Sequence, residues 1–306
     1  MSTTAAQRHR TGVLLMVGAT LCWSSAGILV RNMDMKDGWE ITFWRSMFMM
    51  IFLGVVLFAK RWRGTPALNL HVGPATIISG ALWASMYVCF LVALGRTTVA
   101  NTLVICNIAP LFAALAGRLF LHEAVATRTW VAMGVSFVGI AVMFAGSLGG
   151  GAWLGNLIAV LVPIAFATNV VLLRRLHATT DTTVTLLISG VISMLVTLPM
   201  ALPLEATYKD LTLLAIMGAI QLALGCLLMM AATPRLSAAE VGLLSMLETL
   251  FGTLSVWLFV GEKPAAATLI GGLVVMGALA VNELLALRRQ SLTPTEAQAL
   301  RSTTGH

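Results

Sequence analysis

Apolar residues run in stretches of about twenty along the whole chain, parted by short polar loops. Ten such stretches stand near 11–31, 39–59, 74–95, 98–118, 129–148, 153–173, 183–203, 211–232, 236–260 and 265–287. A helix needs about 20 apolar residues to cross a hydrocarbon core roughly 30 Å thick. Strands of a closed barrel instead alternate every second residue over segments of about ten. These runs are too long and too uniformly apolar for that. The pattern predicts an all-α integral membrane protein with ten transmembrane helices.

The ninth run, "LLSMLETLFGTLSVWLFVGE" (243–262), departs from the pattern by placing Glu248 close to its centre. Ser237, Val241, Ser245, Glu248, Gly252 and Ser255 recur at helical spacing, so they share one small, polar face. Leu243, Leu247, Leu250, Leu254 and Leu258 form a second stripe suited to lipid or packed core.

Charge sets the expected orientation. With the N-terminus inside, thirteen Lys and Arg fall on the cytoplasmic side and five (Arg31, Lys36, Arg96, Lys209, Lys263) outside, leaving Arg45 within a span. That asymmetry is the positive-inside pattern. The chain is expected in the plasma membrane, a bacterial inner membrane, as a multi-pass protein with both termini cytoplasmic. The first run follows Arg8 and Arg10 as a signal peptide would. It is longer than a signal core and has a counterpart in mid-chain, so it is expected to remain as a span.

That counterpart belongs to an internal repeat. "GVLLMVGATLCWSSAGILVR" (12–31) aligns without a gap to "GNLIAVLVPIAFATNVVLLR" (155–174), ending on Arg31 and Arg174. The same offset pairs Thr42 with Thr185 and Ser46 with Ser189. A second match joins 96–123 to 235–262, from Arg96/Arg235 to Glu123/Glu262, with the linker "GSLGGGA" (146–152) between the copies. The expected units are 11–147 and 152–287, followed by a cytoplasmic tail, 288–306. Each copy holds five spans, so the second enters the membrane upside down: two inverted five-helix repeats. Inverted repeats recur in secondary transporters, whose substrate sites lie near the midplane where the repeats meet.

With these features the chain resembles the EamA-like branch of the drug/metabolite transporter superfamily. The resemblance covers roughly 11–287 and rests on ten spans, two five-span repeats and the span ends "PLFAALAGRLFLHE" and "TLFGTLSVWLFVGE". It implies a secondary transporter, commonly an exporter, of a small metabolite, an amino-acid-like compound or a drug, working by alternating access. The family's ninth span often carries Glu followed by Pro. Here Glu248 fits but Thr249 stands in the proline's place, while the first copy keeps Pro110. The absent proline leaves no sequence ground for a helix break at 249.

The candidate substrate- or proton-binding residues follow from burial cost. An ionisable residue at membrane depth is expensive and marks a cavity or proton path by default, which puts Glu248 first; the alternative is a tie between helices. Arg45, the one basic residue clearly inside a span, snorkels outward, pairs with a carboxylate or holds an anionic substrate group. Asn101, Asn107, Asn169 and Gln221 are either cavity polar groups or interhelical ties. Trp23, Trp44, Trp83 and Tyr87 are stacking candidates, with core packing as the plain alternative. Ser245 shares the face of Glu248. Glu123, Glu240 and Glu262 read as interfacial anchors or caps. On the fourth span the matching face is Thr102, Cys106, Ala109, Ala113 and Ala116.

The rest of the composition mainly excludes. At 58% hydrophobic and 10% charged, against about a quarter charged in soluble domains, the chain is no ordinary globular enzyme. Its net charge of +7 is dispersed over short loops, so no nucleic-acid patch arises. Four cysteines lie singly in spans and five histidines in loops or tails; neither metal nor other cofactor is expected. No GxxxxGK[ST] loop is present, which excludes ATP coupling within the chain. The alternative of a polytopic membrane enzyme lacks a His cluster, carboxylate dyad or nucleophile–base pair, and the chain is read as no enzyme. A phosphorylated sugar would call for several convergent Lys or Arg, so a neutral, zwitterionic or cationic molecule fits better. The expected partners are that small molecule, the lipid bilayer, protons for coupling, and a second copy in a homodimer.

Overall fold

A computed structural model of the chain describes residues 5–62, 72–122, 124–147, 152–175, 182–236 and 238–291. Glu123, Ser237, residues 148–151 of the linker and the tail beyond 291 lie outside the described residues. Every described element is helical. Nine stretches are long and apolar enough to cross a membrane, and Ala266–Asn282 is a shorter apolar one.

The first span is α1 (Ala5–Ser24) and α2 (Ala26–Asn32), parted at Ser25. There the Ser24 and Ser25 hydroxyls bond back to Leu21 O and Cys22 O, diverting backbone acceptors from the helix ladder. The second and third are α3 (Gly38–Trp62) and α4 (Pro74–Leu94); Pro74 starts α4 where its missing N–H costs nothing. The fourth is broken into α5 (Val99–Cys106), capped by Thr98 Oγ1, and α6 (Ala109–Leu121). The fifth to seventh are α7 (Thr127–Ser147), α8 (Trp153–Arg175) and α9 (Thr182–Ala201). The eighth begins as α10 (Tyr208–Ile216) with a Thr207/Asp210 capping box, widens into a π-helix over Met217–Leu224, and ends as α11 (Gly225–Ala232). The ninth and tenth are α12 (Ala238–Val260) and α13 (Ala266–Ser291).

Packing follows the repeat. Spans 2 and 7 (α3–α9), 4 and 9 (α5–α12) and 5 and 10 (α7–α13) each pack on their repeat mates. Span 1 packs on spans 8 and 9, while its mate α8 packs on their mates, α4 and the α5–α6 span. Exchanging the copies leaves this contact pattern unchanged, as a pseudo-two-fold axis requires. Close approaches use glycine: a Cβ on Gly139 would lie 2.7 Å from Gly271 O, so α7 and α13 touch backbone to backbone. Large apolar side chains cover the outside, among them Leu250, Leu254 and Leu258 of the predicted leucine stripe on α12. That is the surface a hydrocarbon solvent accommodates.

We call the end of the bundle bearing the N-terminus proximal and the opposite end distal. Distal loops are tied by buried carboxylates. Glu40 Oε1 accepts from Trp44 Nε1 and from the Glu205 and Ala206 amides at 2.8–3.1 Å, and Asp210 Oδ1 accepts from the Asp34 amide at 2.9 Å.

Candidate substrate site

The site is built where three spans lose regular helix. Span 4 breaks at Asn107–Ile108, immediately before Pro110, and resumes as α6. Span 9 stays continuous through Thr249, as the missing proline allows. The Thr249 hydroxyl instead services the break opposite. It accepts from Asn107 Nδ2 and donates toward Leu103 O at 3.4 Å, an oxygen that Asn107 Nδ2 also meets at 3.0 Å. A broken helix at membrane depth is tolerated only where protein or cavity satisfies its freed groups, and here the ninth span does so.

Glu248, one residue earlier on α12, is half-buried. It lies within electrostatic reach of the Cys106 thiol on α5 and the Cys226 thiol on α11. Among the described residues it makes no hydrogen bond or ion pair. The small face predicted for α12 does pack inward: Gly252 meets Leu103 and the Ser24 backbone, and Val256 meets Gly27. The predicted walls from spans 4 and 9 therefore face one another at Cys106 and Glu248.

Arg45, like Glu248, lies within electrostatic reach of Cys226. It is 1% exposed, so its side chain does not snorkel to the surface. The guanidinium sits 5.3 Å from the centre of the Tyr87 ring, reaches Tyr87 O only at 3.5 Å, and leaves Nε without a partner. No carboxylate pairs with it among the described residues. Cys226 is thus a neighbour common to both charged groups.

The eighth span brings Cys226 there. Its π-helix fits between α1 and α3 because two glycines let it: a Cβ on Gly218 would lie 2.5 Å from Arg45 O, and one on Gly225 2.5 Å from the Trp23 indole Nε1. π-Helical segments are rare and gather at functional sites. Gln221, inside this segment, is buried with Oε1 unpartnered. Sequence reasoning read Cys226 as a small buried residue and named Gln221 only in passing. The glycines of "MGAIQLALGC" (217–226) were the available signal.

The other candidates divide. Trp83 sits 6.0 Å from Tyr87, and Tyr87 takes a long 3.5 Å bond from Ser189 Oγ. Trp44 is committed to Glu40 and stacks on Phe48. Asn101 is tied into a buried network with Thr97, Asn156 and Thr268 that joins α5 to α8 and α13. Asn169 on α8 is buried with Oδ1 unpartnered, and Ser245 lies half-buried one turn from Glu248. A separate shallow gap between α6 and α7, lined by Leu111, Phe112, Met133 and Phe137, is apolar apart from Ser136 and holds no ionisable group.

Ten helical spans in two exchangeable repeats are the architecture of a membrane transporter. The EamA-like transporter family matches the chain over residues 10–145 and again over 153–283, and the chain belongs to that family. It is 26% identical over 272 residues to the pseudopaline exporter CntI of Pseudomonas aeruginosa strain UCBPP-PA14, a match covering 87% of this chain and 94% of that protein. The same protein of strain PAO1 matches to the same extent. A solved crystal structure superposes with a TM-score of 0.65 over 91% of this chain and 99% of that one. At 17% identity the likeness is one of fold.

Proposed function

We propose that the chain exports a small zwitterionic metabolite across the plasma membrane by alternating access, driven by proton exchange at Glu248. The proximal end faces the cytoplasm, following the charge asymmetry of the loops. The observation that carries the reading is a pair of ionisable groups inside spans with no ion partner among the described residues: Glu248, half-buried, and Arg45, buried with Nε unpartnered, both within electrostatic reach of Cys226. Charges retained in such a place without an ion partner serve a ligand or a proton. An anionic group of the substrate satisfies the idle Nε of Arg45, and its cationic group faces Glu248. Protons and the cationic group compete for Glu248, which couples inward proton flow to outward export. The relative's printed name, an exporter of pseudopaline, supports the direction and the size class.

Everted membrane vesicles with an imposed proton gradient test this. Glu248→Gln keeps shape and hydrogen bonding but releases no proton; it is expected to abolish gradient-driven accumulation of a zwitterionic substrate while leaving substrate exchange. Glu248→Asp retains part of the activity. Wild-type accumulation by a well-expressed Glu248→Gln protein counts against coupling at this residue.

A further inference from the structure

The π-helix of the eighth span has no counterpart in the first copy. Its repeat mate α4 is a regular α-helix from Pro74 to Leu94 and carries no amide side chain. The widening over Met217–Leu224 therefore lies outside the scaffold that the two copies share.

What the widening changes is the placement of Gln221. In a regular α-helix five residues make about 1.4 turns, which would put Gln221 and Cys226 on different faces. In a π-helix the i→i+5 hydrogen bond brings such residues into line. The Gly225 amide makes that bond to Ile220 O at the end of the segment. Gln221 thus stands on the face of Cys226, the thiol within electrostatic reach of both Arg45 and Glu248. Toward its other end the segment meets Arg45 directly, for a Cβ on Gly218 would lie 2.5 Å from Arg45 O. One short segment therefore carries Gln221 between two contacts with the surroundings of the charged pair.

Gln221 is 4% exposed and its Oε1 has no hydrogen-bond partner. A buried acceptor left idle carries its full desolvation cost. Packing does not require it: Met217 and Leu222 to either side sit in apolar clusters, and an unbranched methionine would fill the same place.

We propose that Gln221 is a specificity-determining residue whose Oε1 accepts a hydrogen bond from a neutral N–H or O–H donor of the exported zwitterion. The proposal rests on the reading of Arg45 and Glu248 as holding the two charged groups, and it adds a third contact. The substrate class is then a zwitterion bearing an amide or hydroxyl beyond its carboxylate and ammonium. A site built to hydrogen-bond such a group rejects analogues lacking it, because its own acceptor stays unsatisfied.

The test compares two sets of probes in everted vesicles carrying wild type or Gln221→Met. Glutamine, asparagine, serine and homoserine bear the donor; alanine, norvaline and methionine lack it. Gln221→Met is expected to raise KM about tenfold for the donor-bearing probes, the size of losing one hydrogen bond, and to leave KM unchanged for the others. Its melting temperature in detergent is expected to rise by about 2–4 °C as the idle acceptor is removed. Gln221→Asn, which keeps the acceptor on a shorter stem, recovers part of the discrimination. A melting temperature at or below wild type overturns the proposal, because it makes Gln221 a tie between helices. A KM that changes alike, or not at all, for both probe sets overturns it too, as does a wild type with no preference for donor-bearing probes. Wild-type vesicles that accumulate no probe count against the zwitterion reading itself. In that event a raised melting temperature still assigns the idle acceptor to a ligand, and a lowered one removes it.

Discussion

Replacing Arg45 by Met is expected to make the protein more stable and to stop transport. Arg45 is 1% exposed, its Nε has no partner, and its 3.5 Å approach to Tyr87 O exceeds the usual range of about 2.7–3.2 Å. A buried donor left unmade costs about 1–3 kcal/mol, and hydrophobic replacement of buried ionic groups is often stabilising by about 1–4 kcal/mol. Against this stands the contact with the Tyr87 ring at 5.3 Å, worth about 1–2 kcal/mol when desolvated. The balance is a gain of about 1–2 kcal/mol for Arg45→Met, whose unbranched side chain fills the same channel. Thermal unfolding in detergent, followed beside vesicle transport, reads both sides of the claim. A functional arginine gives a melting temperature raised by a few degrees with transport lost. A melting temperature below wild type refutes the reasoning, because it makes Arg45 a structural tie.

Gly218→Ala places a Cβ 2.5 Å from Arg45 O and 2.8 Å from Met49 N. Backbone must move on α3 or on the π-helix, so transport is expected to fall at least about tenfold at a stability cost of about 1–3 kcal/mol; unchanged vesicle uptake contradicts the close fit. Asn101→Ala removes bonds to Thr97, Asn156 and Thr268 and strands buried partners, a loss of about 2–3 kcal/mol in unfolding measurements; transport per folded molecule should change little, and a selective loss of transport places Asn101 in the site after all. Reporter fusions after residues 66 and 177 should read cytoplasmic and those after 36 and 207 external; an external signal at 66 reverses the orientation.

The spans were legible because hydrocarbon solvent imposes one rule, a length of apolar helix, that chain composition obeys without context. The face of α12 was legible for the same reason: a period of 3.6 sorts Glu248 and Gly252 from Leu250 and Leu254, and the latter are indeed the exposed ones. What stayed hidden was pairwise. The ion-paired Glu262 and Arg31 stand 231 positions apart, and neither residue's neighbours announce the other. Trp44 was read as a stacking candidate, whereas its indole goes to Glu40 one turn away, a bond that helical spacing alone permits but does not choose. The π-helix at Met217–Leu224 was invisible to periodicity, since one extra residue per turn disturbs an all-apolar stretch too little to register. Its only trace was the pair of glycines that admit Arg45 and Trp23.

The scaffold is symmetric and its charge is not, and the difference separates what the repeat does from what the site does. Under the repeat, Arg45 corresponds to Ile188 and Glu248 to Ala109. Ile188 is spent on packing, for a Cβ on Gly80 would lie 2.7 Å from its Cγ2, and Ala109 opens α6 beside the helix break. A second carboxyl at 109 would stand near Glu248 across the axis, where like charges in a poorly solvated space repel strongly. A second arginine at 188 would have to displace the α4–α9 contact. Symmetry is kept in the contacts between repeat mates, α3–α9, α5–α12 and α7–α13. It is abandoned at Arg45 and Glu248, whose repeat positions hold Ile188 and Ala109.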